Sequence, residues 1–148
     1  MKQRRQKKLA RDLIDATLSS DAARVKKLLR AGADPERRDS EGVTPLYRAA
    51  VQGEAEIARL LLEAGAAPDA ESEGGEGAEG TPLCAAACWG HTEAVRELLA
   101  HGADPTLRED GGRGISPLEW ANYGPHRETA ALLLAAGAKP ASGTSNDS

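Results

Sequence analysis

The sequence predicts an all-α fold, a solenoid of four stacked helix–turn–helix units joined by hairpin-like loops. Three observations carry this. First, Thr44-Pro45-Leu46, Thr81-Pro82-Leu83 and Ser116-Pro117-Leu118 each begin 21 residues before a glycine: Gly65, Gly102 and Gly137. Second, Gly32 follows a similar run, Leu28-Leu29-Arg30-Ala31, with Leu13 standing where the other units have Leu46, Leu83 and Leu118. The four glycines therefore lie 33, 37 and 35 residues apart. Third, the apolar residues ahead of each glycine recur at helical spacing. A period of about 33 residues, each unit one supersecondary element, points to a stacked array whose core is shared between neighbours.

Each element follows from its residues. Thr44, Thr81 and Ser116 can cap a helix amino terminus with their side-chain oxygens, and the proline after each suits the first helical position. Leu46 with Ala49 and Ala50 gives a short first helix with a small apolar face, which lets a second helix approach closely. Gly53 and Gly90 suit the tight turn between helices. The second helices share the sets Val25-Leu28-Leu29, Ala58-Leu61-Leu62, Val95-Leu98-Leu99 and Ala130-Leu133-Leu134, a helical stripe and not a strand alternation. Gly32, Gly65, Gly102 and Gly137 then end each helix in the left-handed cap.

These residues resemble the ankyrin repeat family. The second unit, from Gly42-Val43-Thr44-Pro45-Leu46 through Ala49-Ala50 and Gly53 to Leu61-Leu62-Glu63-Ala64-Gly65-Ala66, is similar to the family almost throughout. So is the third, from Thr81-Pro82-Leu83 through Ala86-Ala87 and Gly90-His91 to Leu98-Leu99 and Gly102-Ala103-Asp104. The fourth is looser, with Pro125 in the place of the inter-helix glycine and His126 after it. The first keeps mainly its second-helix half. The resemblance places the repeat domain at residues 10–138, with repeats at about 10–42, 43–80, 81–115 and 116–138. It implies that the connections 33–43, 66–80 and 103–115 project as fingers and that the first helices line a concave inner face. It also implies that His91 and His126 tie the turns by hydrogen bonds, and that Tyr47 stands where the family usually has histidine. The implied function is protein interaction without catalysis.

Composition bounds the reading further. The chain has 148 residues, one domain's worth. No run approaches the roughly 18 apolar residues of a membrane span, and the basic start leads into no signal-peptide core, so a soluble, cytoplasmic protein is expected. Two cysteines four apart on one helix do not form a secreted disulfide framework. Abundant Ala, Arg and Glu with no Phe suggests a GC-rich bacterial source. The net charge of −4 hides a split: the first eleven residues hold six basic side chains and no acid, leaving 13 basic against 23 acidic, a net charge of −10. Residues 1–9 are accordingly expected to be a basic extension of the capping helix, either a solvated cap or a binding tail. The second finger carries five acids, several glycines and no base, so it is expected to be mobile and negative. Residues 139–148 are expected to be a disordered tail.

Chemistry is sparse. Gly75-x-Gly77-x-x-Gly80 formally matches a dinucleotide fingerprint, but Glu73, Glu76 and Glu79 would repel phosphate and nothing upstream reads as a strand. Cys84, Cys88 and His91 lie close in sequence, yet a four-ligand zinc site needs one more Cys or His, and small cysteines pack well in a core. No nucleophile, base and orienting acid stand together, so no enzyme, no cofactor and no metal are expected. The aromatics are more informative. Tyr47, Trp89, Trp120 and Tyr123 all fall on the first helices of units two to four. Trp120 is expected to pack between units three and four and Tyr47 inside the stack, while Trp89 and Tyr123 are expected to be exposed. The candidate partner-binding residues are Arg37, Glu41, Arg48, Val51, Gln52, Trp89, Tyr123 and Arg113. The expected partner is an unidentified protein, with no small-molecule substrate and no membrane, and the chain itself is expected to be a monomer. The rivals are binding of nucleic acid or another anionic surface through the basic amino terminus, which the −10 body disfavours, and regulation of a neighbouring enzyme.

Overall fold

A computed structural model describes residues 2–73 and 79–140. In chain order these contain α1 (Lys2–Leu18), α2 (Ala22–Arg30), α3 (Pro45–Gln52), α4 (Ala55–Glu63), β1 (Ser72–Glu73), β2 (Glu79–Gly80), α5 (Pro82–Cys88), α6 (Thr92–Ala100), α7 (Glu109–Gly112), α8 (Pro117–Tyr123) and α9 (Arg127–Ala135). The segment α7 is one irregular turn, with left-handed backbone at Asp110 (φ 53°) and Gly111 (φ 63°). The other helices form four hairpins, α1 with α2, α3 with α4, α5 with α6 and α8 with α9. First helices stack as α1, α3, α5, α8 and second helices as α2, α4, α6, α9.

The local rules operate in these units as the sequence implies. Thr44, Thr81 and Ser116 each accept a hydrogen bond from the backbone amide three residues on, at 3.1, 3.2 and 3.1 Å. Glu119 completes a capping box by accepting from the Ser116 amide at 3.0 Å. At the far end of each unit the residue after the glycine reaches back five positions: Ala33 donates to Leu28 O, Ala66 to Leu61 O, Ala103 to Leu98 O and Ala138 to Leu133 O, at 2.9–3.0 Å. This Schellman closure requires positive φ at the glycine, and the four values run from 96° to 111°. Leu13, Leu46, Leu83 and Leu118 are all buried beneath the first helices, and Val25, Ala58, Val95, Leu61, Leu98 and Leu133 beneath the second. The stripe weakens in the fourth unit, where Leu134 is exposed.

Two features differ from the sequence reading. The first unit makes its inter-helix turn with Ser20 at φ 58°, in the register that Gly53 (72°) and Gly90 (69°) occupy later. The Ser20 hydroxyl donates to a Glu54 carboxylate oxygen of the next unit, which helps hold this uncommon backbone. The second finger is also anchored where mobility was expected. Ser72 Oγ accepts from the Thr44 amide at 3.0 Å, Glu73 N donates to Gly42 O at 3.1 Å, and β1 pairs antiparallel with β2, Ser72 opposite Gly80. Buried backbone groups at the base of a finger need partners, and these supply them. A strand does therefore precede the glycine-rich run, though of only two residues. Gly75, Gly77 and the mobility expected of 74–78, like the disorder expected of the tail from 141, lie outside the described residues.

The basic amino terminus is helical from Lys2 onward and lies across the end of α2. Arg5 Nη2 donates to Ala31 O at 3.0 Å and Gln6 Nε2 to Gly32 O at 3.4 Å. A cation at the carbonyl end of a helix complements its dipole.

Candidate functional site

Counting from Leu13, Leu46, Leu83 and Leu118 identifies the rows on the first helices. Two residues on stand Asp15, Arg48, Ala85 and Trp120; five on stand Leu18, Val51, Cys88 and Tyr123. The earlier row faces the fingers. Arg48 donates to Asp39 Oδ2 through Nη2 at 2.8 Å and Nε at 3.2 Å, and to Glu41 Oε1 at 2.7 Å, while Trp120 Nε1 donates to Glu109 Oε1 at 2.9 Å. The later row lies one helical turn on and shares this face.

The proposed contacts divide into two kinds. Arg48 and Glu41 are paired with each other and with Asp39, whose other carboxylate oxygen accepts from the amides of Glu41 (2.9 Å) and Val43 (3.0 Å). Partial burial works against the Asp39 charge, but the Arg48 guanidinium and these two amides prevail and hold its carboxyl below the ordinary range. Gln52 is also occupied: its Nε2 reaches Thr17 O at 3.5 Å and Leu18 O at 3.4 Å, tying α3 to the end of α1. Val51 is half-buried, and its carbonyl accepts from His91 Nε2 at 3.0 Å. The side chains of Arg37, half-buried, and Arg113, exposed, form no ion pair among the described residues.

Trp89 and Tyr123 are the open ones, 62% and 70% exposed. Trp89 caps the end of α5 and Tyr123 closes α8. Tyr123 stands edge-on to Trp120 with ring centroids 5.8 Å apart and planes at 84°, so the large contact area is partly braced. Tyr47 is buried, 5% exposed, and Trp120 packs half-buried against the core. Sequence reasoning passed over Leu18, 48% exposed and in register with Val51, Cys88 and Tyr123. Counting five residues on from Leu13 would have found it.

Two grooves along the fingers adjoin the candidate contacts. One of 760 Å³, between the second and third fingers, is lined by Glu71, Glu73, Glu109 and Asp110. Glu71 links these fingers, accepting from the amides of Asp110 at 3.1 Å and Gly111 at 3.4 Å. The other, of 480 Å³, lies between α1 and the first finger. Cys84 is buried with its thiol pushed up to about 12, mainly by desolvation. With His91 turned to the Val51 carbonyl, the Cys84, Cys88 and His91 set does not converge. Among the described residues no group of three or more His, Cys, Asp or Glu is arranged to hold a metal ion, and no helix is long and apolar enough to cross a membrane.

Comparison with known proteins agrees with this architecture. The family described as ankyrin repeats, in three copies, matches residues 13–109 and 74–144. The chain belongs to the ankyrin repeat family, and its fold is an all-α stack of those repeats. Among its relatives, palmitoyltransferase Hip14 of Drosophila melanogaster is 40% identical over 129 residues, 87% of this chain but 14% of that protein. Human protein phosphatase 1 regulatory subunit 27 is 42% identical over 64 residues, 43% of this chain and 42% of that protein. Human ankyrin repeat domain-containing protein 39 is 39% identical over 62 residues, 42% of this chain and 34% of that protein. The chain thus spans less than half the length of each. Ankyrin repeats are in general protein-interaction modules.

Proposed function

We propose that this chain is a non-catalytic module that holds a protein partner across its inner helices and fingers. The observation that carries the reading is the pair of large rings, Trp89 and Tyr123, left mostly in solvent at the ends of adjacent inner helices in a stack whose leucines are otherwise largely covered. Tryptophan and tyrosine are the anchors on which interface energy concentrates. Arg37 and Arg113 are the charged contacts free to join them, while Arg48, Glu41, Gln52 and Val51 serve first to shape the surface. Regulation of an enzyme, as in the name of the phosphatase relative, is one form such binding would take. Cytoplasmic residence belongs to the same proposal.

A photo-crosslinking residue in place of Tyr123, compared with one in place of Arg96 on α6, tests this in native extract. Adducts from position 123 alone are expected, reduced more than tenfold by Trp89→Ala at an unchanged melting temperature. Adducts from both positions equally, or a destabilised Trp89→Ala protein that still crosslinks, would sink the reading. Nucleic-acid binding is the second reading, supported by exposed Lys2, Arg4 and Lys7 on α1. It predicts affinity that collapses with added salt.

A further inference from the structure

We infer that the partner segment is acidic and amphipathic, lying with its carboxylates over the groove between α1 and the first finger and its apolar side chains along the Leu18-to-Tyr123 row. This rests on the interaction reading above and gives the partner its chemistry.

The charge of that groove is opposite to that of the body. Arg48, Asp39 and Glu41 answer one another there. One guanidinium offsets only one of those two carboxylates, so Lys7, Arg11, Arg37 and Arg38 face Asp15 and one further negative charge: five basic against three acidic side chains line the groove, a surplus of two. Lys7, Arg11 and Arg37 make no ion pair among the described residues, and Arg38 donates to the neutral carbonyl of Gly42 at 3.0 Å. The whole chain carries −4, so this cationic surplus is local. Its floor includes the half-buried Ile14 and the exposed Leu18. Leu18 is also the first member of the row that continues through Val51 and Cys88 to Tyr123, with Trp89 beside it. Charge and apolar anchors are therefore continuous on one surface.

Spacing favours a helical ligand. Packed helices stand about 8–10 Å apart, and two turns of a partner helix rise about 10.5 Å. An apolar residue at every seventh position would therefore meet one row member per unit. A nucleic acid fits less well. Its phosphates would continue from the basic groove toward Glu71, Glu73, Glu109 and Asp110, which line the groove between the next two fingers.

The test uses the whole chain and a labelled helical peptide of about 21 residues, with Leu at every seventh position and Glu on its polar face, beside a twin carrying Lys for each Glu. Fluorescence anisotropy should show the acidic peptide binding at least about tenfold tighter than the twin, with affinity falling as salt rises. Arg11→Glu with Arg37→Glu should weaken it about tenfold or more. Trp89→Ala with Tyr123→Ala should do the same, with circular dichroism unchanged in both variants. The inference is overturned if the twin binds equally well, if neither peptide binds, or if either double variant leaves affinity unchanged. It is equally overturned if a single-stranded oligonucleotide of similar length binds more tightly than the acidic peptide. None of these outcomes bears on the crosslinks from position 123, which are blind to the partner's charge. Silence there would end the broader reading independently.

Discussion

Replacing Gly53 by alanine perturbs one atom and should disturb two units. Gly53 sits at φ 72° in the turn between α3 and α4, a backbone that costs an L-residue about 1–2 kcal/mol. A Cβ there would lie 2.6 Å from Nδ1 and 2.8 Å from Cγ of His91, which belongs to the following unit. The ring would have to move. Its Nε2 donates to Val51 O at 3.0 Å, and losing that bond costs a further 0.5–1.5 kcal/mol or so. Gly53→Ala should therefore destabilise by about 2–3 kcal/mol in urea unfolding. The decisive measurement is the cycle with His91→Ala. Once the ring is gone, Gly53→Ala retains only its backbone cost, so the two losses should fall short of additivity by about 1 kcal/mol. Strict additivity, or a Gly53→Ala loss below about 0.5 kcal/mol, would refute the reasoning.

Three further outcomes are expected. Leu98→Ala, at a position 0% exposed, should cost roughly 2–5 kcal/mol by urea unfolding, as truncation of a buried leucine does. The Asp39 carboxyl is held below its ordinary 3.8, so its contribution is fully present above that pH and is lost as pH falls through the lower folded-state value. Unfolding free energy measured from about pH 5 downward should thus drop more steeply in the parent than in Asp39→Asn, and parallel curves would be the failing result. Both thiols are shifted upward, chiefly by burial, Cys84 to about 12. A thiol reagent at pH 8 should therefore label half-exposed Cys88 slowly and Cys84 only after unfolding, a difference mass spectrometry reads directly.

The parts legible in the sequence are those whose cause is local. A threonine three residues ahead of the amide it caps, a proline after it and a glycine at the left-handed stop are all set within one turn of chain. The shared register of Leu13, Leu46, Leu83 and Leu118 places Trp89 and Tyr123 at helix ends without any coordinates. What was missed joins residues far apart in sequence. Ser72 reaches the Thr44 amide 28 positions away, and Ser20 reaches Glu54 34 positions away. No periodicity records such meetings. The same holds for the pairing of Arg48 with Asp39 and Glu41, which makes two candidate contacts into scaffold, and for Leu18, hidden by the first unit's weaker match to the repeat.

The histidine contacts give the stack a direction. His91 of the third unit latches the turn of the second at Val51, and His126 of the fourth latches the turn of the third by donating to Cys88 O at 3.1 Å. Glu54 of the second unit does similar work for the first through Ser20. Every latch thus reaches backward along the chain. Stripping units from the amino end leaves each remaining turn with its clasp intact, whereas stripping them from the carboxyl end unclasps the turn now left last. The fourth turn has no latch of this kind among the described residues. There an extended Gly124 (φ −113°, ψ 176°) leads into Pro125, whose ring restricts the backbone by itself. A turn stiffened from within does not depend on a following unit, which makes the amino side of these four units the safer place to shorten the array.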